Sequence, residues 1–183
     1  MNSIRYIELF DDYTDWTLID DATEVVAAST LGLVDTNSVS FNKVDGTNHT
    51  FGGMYKTIGS TDKLYPHDAF WQGDFDISDN IGLCFYVGAI TNVAQAAVRI
   101  GTSVSHYVEW KFHDTQMQAS SWNTIVAPIG QCSVTGNGAD LSKIRYMQVG
   151  IEFDAESNAL TGIIMHKVFL QKAVRTILSP VMA

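Results

Sequence analysis

Apolar and polar residues alternate with a period of two along much of this chain, and this alternation restricts the possible folds more than any other feature. Apolar side chains occupy every second position of 81–88, 107–113 and 146–153. In the last two runs the intervening positions are mostly polar, as expected for strands with one face on a core and the other in solvent. Only 21–28 approaches a helical pattern, and it contains a β-branched pair. The period therefore predicts an all-β protein.

Clusters of Gly, Asn, Asp and Ser separate the alternating runs, and such residues tolerate the positive φ of tight turns. Seven or eight strand-like runs lie between about residues 38 and 170. Many short strands in one chain with little helix predict a single jelly-roll β-sandwich of two antiparallel sheets with long loops. We expect 1–170 to form the sandwich and 171–183 a C-terminal arm, with a long surface loop at 59–76.

The charge of the chain is strongly asymmetric. The formal net charge is −9, and residues 1–80 contain 14 acidic and 4 basic side chains. An acidic surface repels phosphate, so neither nucleic acid nor an anionic membrane is expected as a partner.

The first residues lack the apolar stretch of a signal peptide, which predicts assembly in a cytoplasm. Cys84 and Cys132 lie among small and apolar neighbours and are expected to be reduced thiols.

Catalytic motifs are absent from the sequence. It has no nucleophile elbow, no zinc-protease signature and no nucleotide-binding glycine loop. Aspartates cluster at 11–15 and 74–79, where they are expected to be solvated turn residues. In a polysaccharide-active enzyme, the catalytic residues would have to come from polar positions on one sheet face, namely Arg99, His106, Tyr107 and His113. Nothing in the sequence specifies that set, so the chain is predicted not to be an enzyme.

The order of short motifs over about half of the chain resembles one type of jelly-roll domain. These motifs are at 76–87, 98–103, 105–110, 121–123, 135–137, 140–144 and the closing strand to residue 170. Together they are similar to the galactose-binding-like and carbohydrate-binding-module-like domains that recur in tailed-bacteriophage virion proteins. The resemblance implies a non-catalytic role. Many such domains hold a structural calcium ion, for which Glu8 could be a ligand, but Lys167 stands where an acid is usual. We therefore expect no metal and no cofactor.

Aromatic residues in the sequence divide into expected core anchors and an expected exposed group. Trp110 falls on an apolar strand face and Trp122 opens a strand, and both are predicted to pack in the core. Phe70, Trp71 and Phe75 lie in a loop-like stretch, where an exposed Trp71 would be costly unless it covered the core or met a partner.

The leading functional hypothesis is a capsid decoration protein on the virion head surface, bound to the major capsid protein and to copies of itself. Its predicted partner-binding residues come from the loop and from the arm: Phe70, Trp71, Phe75, Lys172, Arg175, Ile177 and Leu178. The alternative is a receptor- or glycan-binding module of a tail or fibre, with Trp71 on the ligand. A small polysaccharide-active enzyme is the second alternative.

Overall fold

The computed structural model describes residues 3–8, 10, 13–27, 38–46, 49–57, 78–137 and 144–172. Within these ranges the chain forms strands and two short 3-10 helices, Tyr13–Asp15 and Asp114–Gln116. The strands are β1 Ser3–Glu8, β2 Thr17–Asp20, β3 Ala22–Ala27, β4 Val39–Lys43, β5 Phe51–Thr57, β6 Asn80–Val87, β7 Val93–Ser103, β8 His106–His113, β9 Ser121–Pro128, β10 Ser133–Thr135, β11 Tyr146–Phe153 and β12 Leu160–Lys172. No helix in the described part is long and apolar enough to cross a membrane.

The strands form two antiparallel sheets, as the sequence predicts. Sheet 1 has the order β3-β4-β12-β6-β9, and β1 also pairs with β12. β4 pairs with the first half of β12 and β1 with its second half, so both share one side of the longest strand. Sheet 2 has the order β10-β8-β7-β11-β5-β2. The predicted all-β sandwich is therefore confirmed. Of the predicted arm 171–183, the first two residues end β12, and the remainder lies outside the described residues, as does the predicted loop 59–76.

The core lies between the sheets and is built from the alternating positions that the sequence identifies. Trp110 and Phe112 of β8 are buried there, as are Val149 and Ile151 of β11. The stretch 22–27 is strand β3, paired with β4, because its β-branched residues suit a pleated sheet better than a helix.

A lysine is buried at the end of β4. The Lys43 side chain has no exposed surface, and its ammonium donates to the carbonyl oxygens of Val44 at 2.9 Å and Glu156 at 2.8 Å. The Asp21 carboxylate lies 3.7 Å away. This ammonium therefore joins three separate parts of the chain: the β2–β3 turn, the end of β4 and the β11–β12 turn.

Candidate functional site

The outer face of sheet 2, directed away from the core, combines aromatic rings with polar groups. It is produced by the same alternation that builds the core, since every second residue of β5, β7, β8 and β11 points outward. We call this surface the tyrosine face and define it by seven residues: Phe51, Tyr55, Arg99, Tyr107, Glu109, Tyr146 and Gln148.

Three tyrosine rings form a row across the strands of this face. The ring centroids of Tyr55 and Tyr146 are 5.8 Å apart, and those of Tyr146 and Tyr107 are 6.4 Å apart. Gly101 of β7 lies between Tyr146 and Tyr107 in the register. Because glycine has no side chain, the two rings approach each other across the intervening strand. A Cβ atom at Gly101 would come within 2.0 Å of the His106 carbonyl oxygen, so the close approach requires glycine.

Two further glycines hold an aromatic ring flat against the sheet. Gly53 and Gly150 are paired on neighbouring strands, and a Cβ atom at Gly150 would lie 2.4 Å from the Phe51 ring. The Phe51 ring therefore occupies the space that side chains at these positions would fill. This arrangement places a buried aromatic ring beside the tyrosine row.

Arg99 lies between two rings of the tyrosine face. The Cζ atom of its guanidinium is 4.8 Å from the Phe51 ring centroid and 5.2 Å from the Tyr107 ring centroid, within the range of cation–π contacts. Its Nε donates to Oε1 of Glu109 at 2.6 Å. The other carboxylate oxygen of Glu109 accepts from Ser133 at 3.2 Å and lies 3.6 Å from the Lys111 ammonium. The guanidinium is thus held in place by stacking and by one charge-assisted hydrogen bond.

A polar pair lies at the base of the tyrosine row. Tyr146 donates its hydroxyl proton to Oε1 of Gln148, and both side chains are almost fully buried. Nε2 of Gln148 is buried and has no hydrogen-bond partner among the described residues. A buried donor without an acceptor costs about 1–3 kcal/mol. Because this nitrogen has no exposed surface, it lowers stability and is not a contact for a ligand on the face.

Burial raises the pKa of Tyr146 above its ordinary value; the neighbouring Arg99 partly opposes the shift, while Tyr107 and Tyr55 add to it. Because the folded chain holds this group neutral and the unfolded chain ionises it near pH 10, its contribution to stability is full below pH ~10 and is lost as the pH rises above it. We expect the free energy of unfolding to fall there by up to about 1.4 kcal/mol per pH unit from this group. Urea unfolding between pH 8 and pH ~11 measures the decline.

Tyr146→Phe should show a smaller decline, whereas Tyr13→Phe, at an exposed position, should retain that of the wild type. A decline that is the same in Tyr146→Phe and the wild type would contradict the expectation.

Only one of the partner-binding residues predicted from the sequence is among the described residues. Phe70, Trp71 and Phe75 lie outside the described residues, as do Arg175, Ile177 and Leu178. Lys172 is described: it is the exposed last residue of β12 in sheet 1, where it pairs with Ser3 of β1. Their binding role stays a prediction.

The four residues weighed for an enzyme are only partly brought together. Arg99 and Tyr107 are in contact on the tyrosine face. His113 follows on the same outward side of β8, but Nδ1 of His106 accepts the backbone N–H of Asn137 at 3.0 Å, which stabilises the turn after β10. The set therefore includes one turn-stabilising residue and does not form a single acid–base cluster.

The structure confirms one of the two tryptophan predictions. Trp110 is 2% exposed and donates its indole N–H to the Ile129 carbonyl at 3.0 Å. The prediction that Trp122 is a core anchor is wrong. Its inward neighbour Asn123 takes the buried position, with its amide hydrogen-bonded to backbone groups of Gln118. Trp122 is half-buried on the outer side of sheet 1, with its ring centroid 5.8 Å from that of Tyr86.

The residues weighed for a structural calcium ion are described only in part. No group of three or more His, Cys, Asp or Glu side chains in the described ranges could hold a metal ion. The Glu8 side chain lies outside the described part, and the Lys167 ammonium lies 4.9 Å from the Tyr6 ring centroid.

Cys84 and Cys132 are free thiols. Burial raises the pKa of the Cys84 thiol, and the hydrogen bond from Thr124 opposes the shift.

Several known structures are similar to this chain in fold. The family 11 carbohydrate-binding module from Clostridium thermocellum, solved with a β-1,3-1,4-mixed-linked tetrasaccharide, aligns with a TM-score of 0.57 at 14% identity over 94% of this chain and 97% of that one. A solution structure of CtCBM11 aligns with a TM-score of 0.54 at 13% identity over 94% and 96%. The agarase AgWH50C aligns with a TM-score of 0.56 at 8% identity over 93% of this chain and 25% of the agarase. No protein-family model matches the sequence, and no curated protein matches it. The shared feature is the β-sandwich fold of carbohydrate-binding modules.

Proposed function

We propose that this chain is a non-catalytic glycan-binding module that binds sugar rings on the tyrosine face. The rings of Tyr55 and Tyr107, which are partly exposed on either side of the buried Tyr146, carry the proposal. A pyranose ring has apolar C–H faces and hydroxyl groups around its edge, so it suits a surface of aromatic rings flanked by a few fixed polar groups. The likeness in fold to a module solved with a tetrasaccharide supports this choice.

The polar groups of the face suit binding better than hydrolysis. Arg99, which is partly exposed, presents a fork of N–H donors, and such donors hydrogen-bond hydroxyl oxygens. Glycoside hydrolysis requires two carboxyl groups, one of them protonated to act as the acid. Glu109 is the one carboxyl group among the seven residues that define the face, and it is paired with Arg99 at 2.6 Å and with Lys111 at 3.6 Å. It orients the guanidinium, and the face offers no second carboxyl group for hydrolysis.

The capsid decoration role stays a prediction, with the major capsid protein and sibling copies as partners and the virion head as location. Neither the tyrosine face nor the likeness in fold bears on a capsid. The glycan-binding alternative has support from both, although in this proposal the ligand lies on sheet 2 rather than on Trp71.

Affinity gel electrophoresis tests the proposal. The panel contains linear mannan and galactomannan, xylan and arabinoxylan, cello-oligosaccharides and xyloglucan, and cereal mixed-linkage glucan. We expect at least one of them to bind, and we expect Tyr55→Ala and Tyr107→Ala each to weaken that binding about tenfold, since removing one stacked ring costs on the order of 1.4 kcal/mol. Tyr13→Ala is the matched control, because Tyr13 is exposed in a 3-10 helix outside the face. Binding to no member of the panel, or full binding by Tyr107→Ala, would refute the proposal.

A further inference from the structure

A cavity of about 590 Å³ lies beside the tyrosine face, between β8, the second 3-10 helix and the segment from β9 to β10. We call it the side cavity. Its volume falls within the range of about 300–1,000 Å³ that is usual for small-ligand sites. It has a polar wall and an apolar wall, built respectively from Lys111, His113, Gln116 and Gln131, and from Val126, Ala127 and Pro128.

The side cavity lies off the line of the tyrosine row. The row runs across the strands and reaches β8 at Tyr107, whereas the cavity opens further along β8, at Lys111 and His113. Lys111 is four residue steps beyond Tyr107 along the strand, a distance of about 13 Å. A glycan main chain that follows the row would therefore pass the cavity at its side and could enter it only through a group that leaves the main chain.

Glu109 connects the two surfaces. One of its carboxylate oxygens holds Arg99 of the tyrosine face, and the other lies on the cavity side with Ser133 and Lys111. All of these side chains project from the same face of β8 and its neighbouring strands, so the two sites are continuous along the described part of this face. One ligand can reach both.

The charges that line the side cavity compensate each other. The Lys111 ammonium lies 3.6 Å from the Glu109 carboxylate and 3.9 Å from that of Glu152. His113 is the other titratable residue of the polar wall. With its cation already paired, the cavity has no strong preference for an anion. A neutral ring with one apolar face and hydroxyl edges matches a site with one apolar and one polar wall.

We infer that the side cavity binds a neutral glycosyl branch of a polysaccharide whose main chain lies on the tyrosine row. This inference rests on the proposed function and extends it to a ligand class: branched neutral glycans, preferred over their unbranched counterparts. Galactomannan, arabinoxylan and xyloglucan are the branched partners of linear chains in the panel.

The alkylation rate of Cys132 can report whether a ligand occupies the side cavity. Cys132 lines the side cavity and is half-buried, while Cys84, also half-buried, lies in β6 of sheet 1. A ligand in the cavity should slow alkylation of Cys132 by iodoacetamide, measured by peptide mass spectrometry, and leave the rate at Cys84 unchanged. We expect this protection from a branched polysaccharide and not from its linear counterpart.

A variant that fills the cavity provides the second measurement. Gln131→Trp should reduce affinity for the branched polysaccharide about tenfold, the equivalent of one or two lost hydrogen bonds, and leave affinity for the linear chain unchanged. Ser157→Trp is the matched control, because Ser157 is exposed in the β11–β12 turn. It should bind both polysaccharides as the wild type does.

Each outcome decides between the two proposals. Three outcomes would overturn the branch inference and leave the proposed role of the tyrosine face intact. In the first two, the wild type binds linear and branched chains equally, or binds only unbranched chains. In the third, Gln131→Trp retains full affinity for the branched chain. Binding to no polysaccharide would overturn the proposed function, and the branch inference with it. Loss of binding in Tyr107→Ala together with the selective loss in Gln131→Trp supports both.

Discussion

Replacement of Lys43 by methionine is expected to lower the free energy of unfolding by about 3–5 kcal/mol, because it removes one partner of a buried charged group. Methionine has nearly the same length, so packing changes little. The change leaves the carbonyl oxygens of Val44 and Glu156 without their donor. It also leaves Asp21, whose Oδ2 is buried and makes no hydrogen bond, without the neighbouring cation.

Urea unfolding measures this loss, and two further variants identify its cause. Lys111→Met should change stability by less than about 1 kcal/mol, since the Lys111 side chain is 42% exposed and its ion pairs are screened by water. Lys43→Met combined with Asp21→Asn should be more stable than Lys43→Met alone, because the second change removes the unpaired carboxylate charge. A loss below about 1 kcal/mol in Lys43→Met would show that water reaches the ammonium and that its burial is not structural.

The sequence predicts the strands well because alternation is a local property. The runs 107–113 and 146–153 are β8 and β11, each with its apolar side on the core. Trp122 shows the limit of this reasoning. A shift of one residue in the assigned face moves a side chain from the core to the surface. In β9 the polar Asn123 points inward while the apolar Trp122 and Val126 point outward, so the alternation does not identify its buried face.

The site was missed for a different reason. Tyr55, Tyr107 and Tyr146 come from three strands far apart in sequence, and they meet only because β5, β11, β7 and β8 are neighbours in sheet 2. The alternation of apolar and polar residues within a strand does not show which strands are neighbours in a sheet. One signal is present in β8, where Tyr107 stands on the outward side together with the polar residues Glu109, Lys111 and His113. Such aromatic residues on a polar face are worth examining as ligand contacts.

Arg99→Lys is expected to weaken glycan binding at least tenfold, or about 1.4 kcal/mol, while leaving the protein folded. The lysine keeps the positive charge beside Glu109, but its ammonium is neither planar nor forked. It therefore cannot stack between the rings of Phe51 and Tyr107 as the guanidinium does. Tyr107 loses the neighbour that fixes its orientation, and the ligand loses a fork of donors. Isothermal titration with the panel member that binds the wild type most tightly measures the loss.

Arg145→Lys is the matched control, since Arg145 is half-buried like Arg99 but lies outside the cluster of Phe51, Tyr107 and Glu109. It should bind as the wild type does. The comparison separates geometry from charge: both variants keep the net charge of −9, so a difference between them arises from the planar, stacked group. If Arg99→Lys retained full affinity, the positive charge alone would suffice, and the stack of Phe51, Arg99 and Tyr107 would be an element of stability rather than of recognition.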